Sequence, residues 1–238
     1  METEPFFWML NHTYRDKGVR DKTKGYPPED EFASKVSIDR KQNWGIKNTG
    51  GIRSLARGLN GARIGGIPAA VFIISNKSQA FFHNPWDDSL DQRSSIIQYH
   101  GDAKYRLDRD AESWPGNKLL LGIYDEILKG NLQSVPPILY FTKEKSGYVI
   151  FRGLCTLKEV KKYCFEDMGY QVLNYRYTLI ILDTDKINPE WLVRRATDGP
   201  DVDESIAPEV WTQYVRLGVP HQRTLQQDDN LTSKDQPA

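Results

Sequence analysis

Cysteine and histidine are scarce in this 238-residue chain, with two Cys and four His and no CxxC or HxxxH spacing among them. That excludes a disulfide scaffold and a zinc finger, each of which needs several such residues at fixed intervals. Cys155 and Cys164 could form at most one bridge, and the expectation is two reduced, buried thiols in a cytoplasmic protein. Long apolar runs are also missing. Nothing approaches the ~20 residues of a membrane helix, and the opening METEPFFWML places only Phe6 to Leu10 behind two acids, without a basic segment. Neither a membrane span nor an export signal is expected. Net charge is zero, 32 basic against 32 acidic residues, which argues against a histone-like polycation.

What is present is unevenly placed. From Arg40 to Ala80 there is no acid, while Arg40, Lys41, Lys47, Arg53, Arg57, Arg63 and Lys77 are basic. From Asp183 to Ala238 eleven acids face six bases. A local basic row can hold a phosphate backbone on one face of a neutral protein, because counterion release depends on neighbouring Lys and Arg and not on the total. A solvated charge run is the plain alternative. The same basic stretch carries seven glycines from Gly45 to Gly66. Glycine lets a backbone approach a ligand and arginine supplies forked donors for phosphate, although tight turns would use the same residues.

With 39% hydrophobic and 11% aromatic residues there is material for a real core. Residues 1–43 read as a mixed lead-in packing on that core, 44–218 as the main domain, and 219–238, nearly devoid of apolar residues, as a flexible tail. Ala69 to Ile74 reads as a buried strand, and Asn117 to Leu128 as a helix stopped at Lys129-Gly130. Ile138–Thr142 and Tyr148–Leu154 form a hairpin pattern around KEKSG, and YRYTLIILDTDKI is a further strand. NPEWLVRRATDGP and APEVWTQYVRLG read as short helices beginning at prolines. The fold class expected is α+β, mainly β: a twisted barrel or curled sheet with flanking helices.

One stretch, SIIQYHGDAKY (Ser95 to Tyr105), admits two chemistries. Asp102-Ala103-Lys104 with Asp87, Asp88 or Asp91 matches the acid and acid-x-Lys of a PD-(D/E)xK nuclease, which would hold Mg²⁺. Against this, Gly101 before Asp102 signals a turn where that motif needs a strand, and no helical glutamate lies upstream. Alternatively, Tyr99, Asp102 and Tyr105 suit the grip on an aromatic base. Plainer roles also exist: Asp102 as a turn cap, Tyr99 as a strand residue, His100 as a hydrogen-bonded loop histidine, and Trp44, Trp86 and Trp114 as core anchors.

The order of four motifs narrows the choice: Tyr99-His100-Gly101 after an apolar strand, Gly116-Asn117-Lys118-Leu119-Leu120, Pro137-Ile138-Leu139, and Gly153-Leu154. Across residues 44–183 this succession resembles the SET-and-RING-associated (SRA) domains. It is closer still to the SRA-like N-terminal domains of modification-dependent restriction endonucleases of the McrA-like HNH and AspBHI-like kinds. The resemblance implies an SRA/PUA-like crescent β-barrel that flips a modified cytosine, 5-methyl or 5-hydroxymethyl, out of double-stranded DNA. It further implies a pocket of Tyr99 stacked with Tyr105 or Trp86, with Asp102 accepting from the cytosine N4 amine and His100 nearby. Arg53, Arg57, Arg63, Lys47, Lys104 and Arg152 would meet the DNA backbone or groove. No catalytic residue, metal or cofactor is expected in the chain, and cleavage would fall to a fused or associated nuclease domain beyond Ala238. Gly101-Asp102-Ala103-Lys104 replaces the Gly-Ser-Gly-Gly of the eukaryotic domains, which moves the register of the base-reading acid. A protein-interaction module using the acidic C-terminal region is the third class, and it predicts no DNA affinity.

Overall fold

The structure is a computed structural model and describes residues 4–16, 30–36, 46, 50–59, 62–64, 66–76, 87–103, 110–167 and 169–224. Its centre is one large, mostly antiparallel sheet in the order β3-β6-β9-β10-β11-β8-β7. These strands are β3 (Gly51–Leu55), β6 (Ala70–Asn76), β7 (Ser89–Asp91), β8 (Ile96–His100), β9 (Ile138–Lys143), β10 (Tyr148–Asp167) and β11 (Tyr170–Ile181). Among the described strands the one parallel pair is β6 with β9, in register from Val71 opposite Ile138 to Asn76 opposite Lys143. Residues Ala70 to Ser75 are all buried, which explains their unbroken apolar run: a strand covered on both faces has no need to alternate. β8 does alternate, with Ile97 and Tyr99 turned inward and Ile96 and Gln98 half-buried.

The N-terminal segment contributes to this core. β1 (Trp8–Met9) pairs with β12 (Lys186–Ile187), and β2 (Thr13–Arg15) adds to β10. Trp8 is fully buried among Phe32, Phe72, Phe141 and Phe151, with ring centroids 5.7, 6.1, 5.5 and 6.5 Å away. Such pairs add roughly 0.5–1.5 kcal/mol each beyond area burial. Its indole Nε1 donates to the Glu31 carbonyl at 3.1 Å, which satisfies the one polar atom the ring brings inside. A small hairpin, β4 (Arg57–Leu59) with β5 (Ala62–Ile64), follows β3.

Among the described residues four α-helices flank the sheet: α1 (Pro115–Leu128), α2 (Pro189–Thr197), α3 (Asp203–Ile206) and α4 (Glu209–Leu217). α2 begins as its sequence predicts, with Asn188 Oδ1 accepting from Glu190 N at 2.9 Å and Pro189 at the first helical position. α4 stops at Gly218, which adopts a left-handed φ of 74°. One carboxylate ties α2, α3 and α4 together. Asp203 accepts from Trp191 Nε1 (2.7 Å), Trp211 Nε1 (2.9 Å) and the nearly buried Arg195 guanidinium, which also donates to the carbonyls of Ala69 (2.9 Å) and Val135 (3.0 Å). The C-terminal helices are thereby bonded to the ends of the strand layer.

Three expectations are revised. The hairpin strand predicted to end at Leu154 runs on to Asp167 and forms a long ribbon with β11. Cys155 is buried, but Cys164 lies on that ribbon and is exposed. The first residues of the expected tail are fastened to the body: Gln222 bridges Leu182, and Arg223 N donates to the Ile181 carbonyl at 3.0 Å. Residues 225–238 lie outside the described residues.

Candidate nucleic-acid interface

The turn leaving β8 is built around a glycine that cannot be replaced without conflict. A Cβ on Gly101 would sit 1.8 Å from Asn117 Oδ1 and 2.7 Å from Asn174 Oδ1, both buried amides. Asn117 Nδ2 donates to the Ala111 carbonyl (2.9 Å) and to Asn174 Oδ1 (3.0 Å). Its Oδ1 accepts from Asp102 N (3.3 Å) and the Tyr177 hydroxyl (3.2 Å). Asn174 Nδ2 in turn donates to the Gly101 carbonyl at 2.9 Å, while Gly101 N donates to the Tyr175 carbonyl at 2.9 Å. The turn is thus bonded on each side to β11 and to the first turn of α1.

This network places Asp102. Its Oδ2 accepts from Gly116 N at 2.9 Å and its Oδ1 from Asn117 N at 3.0 Å, two of the donors that the start of α1 leaves without intrahelical partners. Gly116 is needed for the same reason as Gly101, since a Cβ there would meet Asp102 Oδ2 at 2.8 Å and Ile52 Cδ1 at 2.6 Å. Asp102 thus caps the start of α1, where the sequence suggested a cap on its own turn. This also fixes the carboxylate in space while each oxygen keeps a second lone pair, and Asp102 is only half-buried.

Beside it, Tyr99 is 5% exposed. Burial pushes its phenol well above the ordinary value, with the carboxylates of Asp88 and Asp102 and the nearby Tyr140 adding and Arg53 opposing, so the hydroxyl stays a neutral donor. Arg53, on β3, donates from Nη2 to the Gly50 carbonyl at 2.9 Å. Asp88 links distant strands: Oδ2 accepts from Ser75 Oγ on β6 at 2.9 Å, and Oδ1 from His100 N on β8 at 2.9 Å, with His100 Nδ1 at 3.3 Å. β6 and β8 stand on opposite sides of the sheet order, so this carboxylate joins the two flanks of a curled sheet. The far face of His100 packs on Tyr163 of the ribbon at 5.3 Å, and Arg176 lies over the same ring at 5.5 Å.

Of the residues singled out by sequence, Tyr99, His100, Asp102 and Arg53 come together here. Arg57 does not: its Nη2 lies against Gly199, 3.2 Å from where a Cβ would be, at the C-terminal helices. Arg152 is also elsewhere. It sits in a β-bulge between Phe151 and Gly153 and bonds Thr142 Oγ1 (2.9 Å), Asn11 Oδ1 (3.0 Å) and Glu144 (2.9 Å), so its donors serve the fold. Arg63 lies on β5 opposite Gly58 in register. Trp44, Lys47, Trp86, Lys104 and Tyr105 lie outside the described residues. In the sequence Asp88 is legible only as a nuclease acid and Asn117 only as part of a motif, while Asn174 and Tyr140 carry no signal there.

The nuclease reading meets a different geometry. Asp102 lies in the turn after β8 and not within a strand, Asp91 accepts from its own turn at Arg93 N (3.0 Å), and Asp88 is bonded as above. Among the described residues no three His, Cys, Asp or Glu side chains are grouped to hold a metal ion. No described helix is long and apolar enough to cross a membrane.

A family model described as "Restriction endonuclease AspBHI N-terminal" matches residues 8–226. Among solved structures, the DNA modification-dependent restriction endonuclease AspBHI is 23% identical, with 93% of this chain and 95% of that chain covered and a TM-score of 0.68. The DNA recognition domain of the cytosine modification-dependent restriction endonuclease LpnPI is 20% identical over 92% and 91%, with a TM-score of 0.63. The MspJI restriction endonuclease, solved with a 27-mer oligonucleotide, is 20% identical with a TM-score of 0.76; 99% of this chain is covered, but only 58% of that one. Curated proteins give no match.

Proposed function

Because the chain belongs to the AspBHI N-terminal restriction endonuclease family, we propose that it is a reader of modified cytosine in double-stranded DNA, with 5-methylcytosine or 5-hydroxymethylcytosine as its ligand. The observation that carries this reading is the pairing of a half-exposed, rigidly held carboxylate, Asp102, with the buried Tyr99 and with Arg53. A flipped cytosine needs an acceptor for its N4 amine, an aromatic wall and positive charge for the distorted backbone, and these three residues supply them. Pre-setting Asp102 on the start of α1 means that no side-chain ordering remains to be done when the base arrives. The names of the related AspBHI and LpnPI proteins support the same ligand class. In this reading the chain acts in the cytoplasm as the specificity part of a modification-dependent restriction endonuclease, with cutting done by a nuclease domain fused to or associated with it.

The test is equilibrium binding of the chain to one duplex carrying cytosine, 5-methylcytosine or 5-hydroxymethylcytosine at two salt concentrations, for wild type and Asp102→Ala. The expected result is at least a tenfold preference for a modified duplex in wild type. In the variant that preference should vanish while salt-sensitive binding to all three duplexes remains. Equal weakening on plain and modified DNA would remove Asp102 from base reading.

A further inference from the structure

A second site lies away from Tyr99 and does not depend on the base-reading proposal. Between β4, the segment before β6, the turn after α1 and the segment after α2 is a cavity of about 190 Å³, whose polar lining is Arg57, Arg195, Gln133 and Ser134, walled by Ala69 and Pro200. Two guanidinium groups in so small a space are unusual without a matching pair of acids. Arg195 is 4% exposed and has one carboxylate, Asp203; its Nε and Nη2 donate to main-chain carbonyls. Of its five N–H groups, two remain after these three bonds. No carboxylate among the described residues forms an ion pair with Arg57. Its guanidinium is let in by Gly199, whose φ of 99° and missing Cβ keep the wall clear. Burial lowers the Arg195 pKa, Asp203 opposes this, and the like charge of Arg57 adds to the lowering.

We propose that this cavity is a phosphate-binding site, in which Arg57 and the free N–H groups of Arg195 grip one tetrahedral oxyanion, with the Ser134 hydroxyl and Gln133 amide as further donors. The charge count favours an anion: two cations and one acid leave a surplus positive charge that a phosphate would balance. Planar guanidinium forks match the oxygen spacing of phosphate. The same chemistry is offered by a DNA backbone phosphate and by a free phosphate or phosphomonoester.

The experiment has two arms, both using Arg57→Gln; Arg195 and Asp203 are kept, since they bond α2 and α3 to the strands. In the first arm, thermal unfolding is followed against inorganic phosphate, with chloride at matched ionic strength as reference. A saturable phosphate-specific rise in Tm is expected in wild type, with half-saturation shifted at least tenfold higher in the variant. In the second arm, binding to an unmodified duplex is measured across salt, where a backbone phosphate in the cavity predicts a uniform loss and a salt slope shallower by about one. An Arg57-dependent effect in both arms, or in the DNA arm alone, assigns the cavity to backbone phosphate; one in the phosphate arm alone assigns it to a free phosphate or phosphomonoester. If neither arm changes on replacing Arg57, the proposal is overturned, whatever the outcome for modified-base preference.

Discussion

Replacing Gly101 by alanine adds a single methyl group, and its consequence can be worked from the distances around it. Gly101 does not adopt a left-handed φ, so alanine is tolerated by the backbone and only space opposes it. The new Cβ would overlap Asn117 Oδ1 at 1.8 Å and press on Asn174 Oδ1 at 2.7 Å. Neither amide is the loose end of a flexible side chain, since Asn117 uses both ends in four hydrogen bonds and is fully buried. Overpacking costs about 1–3 kcal/mol, and a displaced amide leaves buried partners unsatisfied at about 1–3 kcal/mol each. A loss of about 3–5 kcal/mol is therefore expected, read as a shifted urea midpoint at unchanged m-value. Gly122 is the internal control. It lies exposed in the middle of α1 with nothing within 4 Å of a Cβ, so Gly122→Ala should stabilise by about 1 kcal/mol through helix propensity. Removing the obstructing amide should also relieve the clash, so that Gly101→Ala with Asn117→Ala costs less than the sum of the two. A Gly101→Ala loss below about 1 kcal/mol, or strict additivity, would refute the packing argument.

Two further outcomes follow from the core. Asp16 is fully buried, and that burial raises its pKa to about 6, against the lowering effect of Lys143 and with Asp30 adding to the rise. The folded state therefore holds a proton that the unfolded state releases between about pH 4 and pH 6, and Asp16 makes the protein less stable as pH rises through that window and has no further effect above it. Relative to Asp16→Asn, wild type should lose about 2 kcal/mol from pH 4 to pH 7, measured by denaturant unfolding; a constant difference would contradict the assignment. Asp203→Ala leaves two indole N–H groups and the Arg195 guanidinium without their shared acceptor. A cost of about 3–5 kcal/mol is expected, or roughly 2–4 °C of Tm per kcal/mol at this chain length. A change under 1 kcal/mol would show that the helices are held by apolar packing instead.

Elements that bury a face were legible in the sequence, and those that do not were not. Ala69 to Ile74 announced β6 because full burial leaves an unbroken apolar run, and α2 was marked by Asn188-Pro189 at its start. The outer half of β10 was invisible: from Lys158 to Glu166 no residue is buried, so the strand has no alternation to read and looks like a charged loop. The site was half legible. Tyr99, Gly101 and Asp102 stood together in the chain, but the reason for their spacing lies in Asn117 and Asn174, which are 16 and 73 residues from Gly101 and meet it only in three dimensions. Arg57 and Arg53 looked equivalent as members of one basic row. Their separation depends on β3 ending at Leu55 and a new hairpin starting at Arg57, a break with no proline to mark it.

The long ribbon also raises a question of solubility. β9 leaves β10 at Cys155, and beyond it β11 is the sole described strand that pairs with β10, so from Lys158 to Glu166 the other edge of β10 carries a row of backbone donors and acceptors with no described strand beside it. Such an open edge is a template on which another chain can add a strand. Lys158, Lys161, Lys162, Glu159 and Glu166 line that half, and an incoming strand would have to strip water from these charges before it could pair. The charged character that hid the strand from a reading of the sequence thus also guards this edge against edge-to-edge association.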